Sequence, residues 1–184
     1  MQIIITTRHI LFGLMILAWI IFIGVSIEAG GFITNTIYTM GFNPQGASNF
    51  WQGNDLSPLY NFDRGHFLVQ TFFMCLVAIM RATMFYLIIK MLQENKLNMA
   101  QPFNKDLVRF ILTMAYLAFG IGLFSGWGAK YAAWLTNQGI KMPEIEHLRL
   151  AGGDVWLFMG VILIVIAQIF KRGVEIQTEN DLTV

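Results

Sequence analysis

Charge is what this chain has least of. Only 12% of its 184 residues are Asp, Glu, Lys or Arg, 56% are hydrophobic, and the mean hydropathy is +0.59. An ordinary soluble domain carries about 25% charged residues, so this composition excludes that class. The net charge of +1 offers no basic surface for direct nucleic-acid binding. Cys75 is the single cysteine, which rules out an intrachain disulfide and makes a small apolar packing residue the simplest reading of it. No hydrolase, zinc, phosphate-loop or dinucleotide motif is present. No segment alternates polar and apolar residues over about ten positions, as a membrane barrel strand would.

What is present is a set of four long apolar runs, at about 10–27, 67–92, 107–127 and 155–170. A membrane-crossing helix needs roughly 20 apolar residues, and the fourth run reaches that length by including 152–154 and the snorkelling Lys171. In lipid, backbone groups are satisfied within helices. The expected fold is therefore all-α: a polytopic membrane protein with four transmembrane helices in a bundle. External loops are expected at 28–66 and 128–151, with a connecting loop at 93–106 and a tail at 172–184. Arg8 gives the first run a positive flank and Gly24-Val25-Ser26 is small-x-small, but its core is longer than that of a signal peptide and no A-x-A-like cleavage site stands out, so it reads as an uncleaved helix.

Lys and Arg set the orientation. Arg8, Lys90, Lys96, Lys105, Arg109, Lys171 and Arg172 fall on one side, and Arg64, Lys130, Lys141 and Arg149 on the other. Both termini and the middle loop are thus expected in the cytoplasm of a bacterial inner membrane. Asn104 reads as the cap of the third helix, with Leu107 as its first apolar position, and Pro102 separates it from the second. Met142-Pro143-Glu144 reads as the start of a short amphipathic helix. In the first external loop, Phe50, Trp51, Tyr60 and Phe62 suit either an interfacial belt or a small extracellular cap. Gly122 and Gly126 form a G-x-x-x-G pair, a contact face either inside the bundle or between copies of the chain.

One charge lies inside a run. Arg81 sits near the middle of 67–92, where insertion costs about 2.5–3.5 kcal/mol. At helical spacing it shares a stripe with Gln70, Met74, Val77, Met84 and Ile88. A stripe with two polar members belongs against protein or water. No acidic residue is expected at its depth, so Gln168, Thr113, Tyr116 and backbone carbonyls are the expected partners. Three readings of Arg81 follow: it snorkels to cytoplasmic lipid phosphates, it forms a candidate intramembrane polar node with Gln70 and Gln168, or it contacts a ligand. No catalytic set, cofactor site or metal site emerges: His66 and His147 fall on the same side, but nothing fixes them face to face.

The tail carries a resemblance. Residues 169–175, Ile-Phe-Lys-Arg-Gly-Val-Glu, followed by 179–184, Glu-Asn-Asp-Leu-Thr-Val, resemble the C-terminal signature of a bacterial membrane family catalogued as domain of unknown function 2975. Gln101-Pro102-Phe103 is similar to that family's Pro-Phe element, and Asp55-Leu56-Ser57 through Leu59-Tyr60 to the external-loop pattern of its longer members. The resemblance implies a four-helix membrane protein, often encoded beside a small helix-turn-helix regulator of the Cro/CI type. It brings no activity and no catalytic residues. Since the most specific residues cluster on the cytoplasmic side, the first functional expectation is a non-enzymatic membrane sensor or anti-regulator. Pro102, Phe103, Glu175, Glu179 and Asp181 would then be partner-docking residues. Two other readings use the same chain: a small-molecule or lipid-binding transport component built around Arg81, and an immunity protein against a membrane-active peptide.

Overall fold

The structure is a computed structural model that describes residues 7–93 and 104–181. Five α-helices and one 3-10 turn form it: α1 (Thr7–Gly41), the turn Pro44–Asn49, α2 (Ser57–Phe62), α3 (Arg64–Gln93), α4 (Lys105–Asn137) and α5 (Gly153–Asp181). Strands are absent among the described residues. α1, α3, α4 and α5 are each long and apolar enough to cross a membrane. The protein is a polytopic all-α membrane bundle.

The long helices pack in chain order, α1 on α3, α3 on α4 and α4 on α5, with no close approach of α1 to α5 among the described residues. Neighbours run antiparallel. Phe22 of α1 meets Tyr86 of α3, and Thr36 meets Cys75. A methyl at Gly120 of α4 would collide with Met80 of α3, and one at Gly128 would lie 2.9 Å from Phe73 Cβ. Gly122 does similar work against α5, since a methyl there would lie 2.8 Å from the carbonyl oxygen of Gly153 and 2.7 Å from Leu157 Cγ. Close helix approach through small residues is what lipid-phase packing uses in place of a hydrophobic force. Gly122 therefore packs within the chain, while a methyl on Gly126 would meet nothing within 4 Å.

At 35, 30, 33 and 29 residues, the helices exceed the length a bilayer needs. α1 continues as helix for 14 residues past the end of its apolar run at residue 27, so much of the expected first loop is helical. The remainder is a folded cap. Asn43 Oδ1 accepts from Gln45 N–H at 2.9 Å and starts the 3-10 turn. Asp55 Oδ1 accepts from the N–H and the hydroxyl of Ser57 at 2.9 and 2.6 Å, a side-chain turn just ahead of α2, whose N-cap residue is Leu56. Asp63 Oδ1 accepts from His66 N–H at 2.9 Å, capping α3. Beneath these caps Leu56, Leu59, Phe50, Tyr60 and Phe67 are buried. Phe50 stacks on Phe32 and meets Phe67 edge-on at 5.8 Å, and Tyr60 meets Phe67 at 5.3 Å. These loop aromatics form a small core, with Phe62 left exposed.

At α4 the expected cap is present, with Asn104 Oδ1 accepting from Leu107 N–H at 2.7 Å. α4 ends in a Schellman motif with Gly139 in the left-handed conformation: Ile140 N–H reaches Leu135 O and Gly139 N–H reaches Thr136 O. Ten residues later the same motif recurs. Leu150 N–H reaches Ile145 O and Arg149 N–H reaches Glu146 O, with Arg149 at φ 58° where glycine usually sits. The expected helix after Met142-Pro143-Glu144 is thus arrested as a turn over 145–149. Its apolar residues Leu148 and Leu150 are buried, so the segment folds back onto the bundle.

Candidate functional site

Arg81 lies on the inward stripe of α3. Gln70, Met74, Val77 and Met84 of that stripe are buried, and Arg81 and Ile88 are half-buried. The arginine therefore faces protein, as its spacing with Gln70 predicts. Its neighbours come from the fold-back segment: Arg81 lines a cavity of about 240 Å3 together with Glu146, Arg149 and Ala151. Its guanidinium carbon lies 5.9 Å from the ring centre of Trp156 in the first turns of α5, within the range of a cation–π contact. Nε of Arg81 is buried and has no hydrogen-bond partner among the described residues.

Arg149 holds one wall of the cavity. Its Nε donates to Glu28 Oε2 of α1 at 3.0 Å, and its Nη2 donates to Gln52 Oε1 of the cap at 3.3 Å. Asn54 Nδ2 donates to the His147 carbonyl at 3.2 Å, a second tie between cap and fold-back segment. Gln52 is also left-handed, at φ 51°. Two non-glycine residues in that conformation, bonded to each other beside a cavity, store backbone strain of about 1 kcal/mol or more each. Strain of this kind concentrates at sites where geometry matters more than stability.

Glu28 is the residue that sequence reasoning missed here. It follows the apolar run of α1 and so reads as loop. In the helix, however, Ala29 and Gly30 line a groove together with Ala82 and Thr83 of α3, which puts Glu28 at the level of Arg81. A carboxylate is thus present at the depth where none was expected. The signal that could have found it is the Gly-Gly pair after Glu28, which is tolerated inside a packed membrane helix.

The other singled-out residues fall elsewhere. Gln70 is fully buried, and neither polar atom of its amide has a hydrogen-bond partner among the described residues. It lies 11 residues from Arg81, about 16 Å along the helix. Gln168 is exposed and lines a different groove, between α4 and α5, with Lys105, Arg109 and Lys171. Thr113 Oγ1 donates to Arg109 O of its own helix at 2.9 Å, and Tyr116 is exposed. Glu175 accepts from Arg172 Nη1 at 3.0 Å on the exposed end of α5, Glu179 is exposed one turn further on, and Asp181 is the last residue of α5. Pro102 and Phe103 lie outside the described residues. His66 Nδ1 meets the Tyr131 hydroxyl, and its ring stacks on Phe62.

Fold and cavity together define a four-span α-helical membrane protein with a folded cap over a paired-arginine cavity. The chain belongs to the family described as Protein of unknown function (DUF2975), which it matches over residues 51–184. The matched region holds Arg81, Glu146, Arg149 and Trp156, while Glu28 precedes it. No curated protein and no solved structure matches the chain.

Proposed function

We propose that this protein is a non-enzymatic membrane sensor of the bacterial inner membrane, with both termini cytoplasmic, that holds a small helix-turn-helix regulator at its cytoplasmic end. One observation carries the reading. α5 is a single helix from Gly153, at the Arg81 cavity, to Asp181, a rod of about 43 Å. Trp156 near its start touches Arg81, and Glu175 and Glu179 lie on its far end. A ligand that displaced the guanidinium from Trp156 would act on α5 directly. A continuous helix transmits such a shift as a rigid element. The partner class comes from the resemblance of the tail to a family often encoded beside Cro/CI-type regulators.

The test is co-purification of full-length protein with the co-encoded regulator from membranes. Capture by the intact chain, and loss of capture on deletion of residues 175–184, is the expected result. Failure of the intact chain to retain any such regulator, in cells and in detergent, would remove the proposal.

The cavity itself also supports a second reading, a small-molecule-binding transport component. That reading predicts ligand flux across vesicles that depends on Arg81 and needs no cytoplasmic partner. The immunity reading draws less support, because Phe50 and Tyr60 of the aromatic loop are buried in the cap.

A further inference from the structure

The groove between the start of α4 and the end of α5 has a different character from the Arg81 cavity. It encloses about 480 Å3. Lys105 and Arg109 stand one turn apart on α4, and Gln168 and Lys171 stand one turn apart on α5. Val108 and Leu112 form its apolar floor. Its one carboxylate, Glu175, is engaged with Arg172 at 3.0 Å. Arg109 also lines the neighbouring groove with Lys90 and Asp106, and the Asp106 carboxylate lies 4.0 Å from its guanidinium, at the outer limit of an ion pair. Lys105 and Lys171 have no carboxylate partner among the described residues. The groove therefore concentrates positive charge, to which the N-terminus of α4 adds its dipole.

Position identifies the occupant. α4 carries no charged residue from 110 to 129, and α5 none from 155 to 170. Arg109 and Lys171 thus mark the point where both apolar belts end, on the side richer in Lys and Arg. Lys105, Val108 and Arg109 lie at the edge of the belt and Leu112 one turn inside it, so the groove reaches from the headgroup level into the acyl region. We infer that this groove binds one anionic phospholipid, its phosphate held by Lys105, Arg109 and Lys171 and an acyl chain lying on Val108 and Leu112. Free phosphate would use the cations and leave the floor unoccupied. An acidic protein segment would have to pass the headgroup level to cover Leu112. The lipid satisfies both halves of the groove at once. Basic pockets between helices on the cytoplasmic side are suited to such headgroups, each cation adding attraction.

The experiment uses the full chain in nanodiscs of phosphatidylcholine containing a minor fraction of phosphatidylglycerol. Lipid that stays with the protein after extraction into mild detergent is measured by native mass spectrometry. Wild type is expected to enrich phosphatidylglycerol about tenfold over its share of the bilayer. The K105Q/R109Q/K171Q variant should lose that enrichment, and the K130Q/K141Q variant, changed at the opposite end, should keep it. Leu112→Trp fills the floor with every charge intact, and it too should lose the lipid, so the result does not depend on the folding of the triple variant. Equal retention of the two lipids by wild type would overturn the inference. So would undiminished enrichment in either groove variant, or displacement of the lipid by millimolar inorganic phosphate.

Discussion

Glu28 and Arg149, 121 positions apart in the chain, meet as an ion pair of 3.0 Å between α1 and the segment that leads into α5. α1 and α5 do not otherwise approach each other closely among the described residues. The pair thus fastens the two outer helices through the fold-back segment. Glu28 is the more buried partner, with 16% of its side chain exposed against 45% for Arg149, so it has little access to water as an alternative. Double-mutant cycles with Glu28→Gln and Arg149→Gln should give a coupling of about 1 kcal/mol in thermal or denaturant unfolding in detergent. A coupling indistinguishable from zero would show that the pair contributes nothing to the closure.

The left-handed backbone of Arg149 makes a second, separable prediction. Arg149→Ala loses the ion pair and keeps the strain. Arg149→Gly loses the ion pair and relieves the strain, because glycine adopts positive φ at little steric cost. The glycine variant should therefore be the more stable of the two by about 1 kcal/mol, with Gly139 in the matching position of the preceding motif as the internal precedent. If alanine proves equal or better, the turn over 145–149 is not held in the conformation described.

Gly122 faces the backbone of α5 so closely that any side chain must push the helices apart. Gly122→Val should cost about 1–3 kcal/mol or more. Gly126→Val, one turn along the same face, should cost little, since nothing lies within 4 Å of a methyl there. Comparable losses in both variants would point to a contact with a second chain at Gly126.

Much of this fold is legible in the sequence, and for a clear reason. In a bilayer, length and hydropathy fix where helices must lie, so four runs yield four spans. Spacing fixes a helix face, so Gln70 and Arg81 already mark the inward side of α3. Asn104 reads as a cap because its side-chain acceptor and the following apolar position are local features. What hydropathy does not carry is where a helix stops. α1 runs beyond residue 27 while packed against α3, and this brings Glu28 to the level of Arg81 and into its ion pair with Arg149. Depth across helices is also non-local. Gln168 and Arg81 are both polar residues in apolar runs, but antiparallel packing sends Gln168 to the Lys105 end and Arg81 to the fold-back segment. The helix expected from the Met142–Glu144 start does not form, because the chain turns over 145–149 and Arg149 reverses it.

Gln70 tests whether burial of a polar group serves stability or something else. Its amide is completely buried and has no partner among the described residues, a state that costs about 1–3 kcal/mol. Gln70→Met keeps the volume and removes the polar atoms. The expected outcome is a gain of about 1 kcal/mol in unfolding free energy. A loss instead would mean that the amide has a partner in the bilayer-embedded protein.

Arg81 separates the two uses of its cavity. Arg81→Lys keeps a cation but not the planar group that lies over Trp156, and Arg81→Leu removes both. If the guanidinium serves packing alone, Leu should be tolerated, because an apolar residue on the inward stripe of α3 replaces a charge that costs about 2.5–3.5 kcal/mol to hold there. Arg81→Leu should then be as stable as wild type or more so, and regulator capture at the far end of α5 should be unchanged. If the cavity is the sensing site, stability should again be preserved, but capture should become insensitive to whatever condition alters it in wild type. Arg81→Lys should show a partial response. Trp156 fluorescence reports the contact directly, since losing the guanidinium 5.9 Å from its ring changes the indole environment. The sensor reading therefore requires the Arg81→Leu spectrum of Trp156 to match that of wild type in its signalled state. A Leu variant with the altered spectrum and an unaltered response would break the link between this cavity and α5.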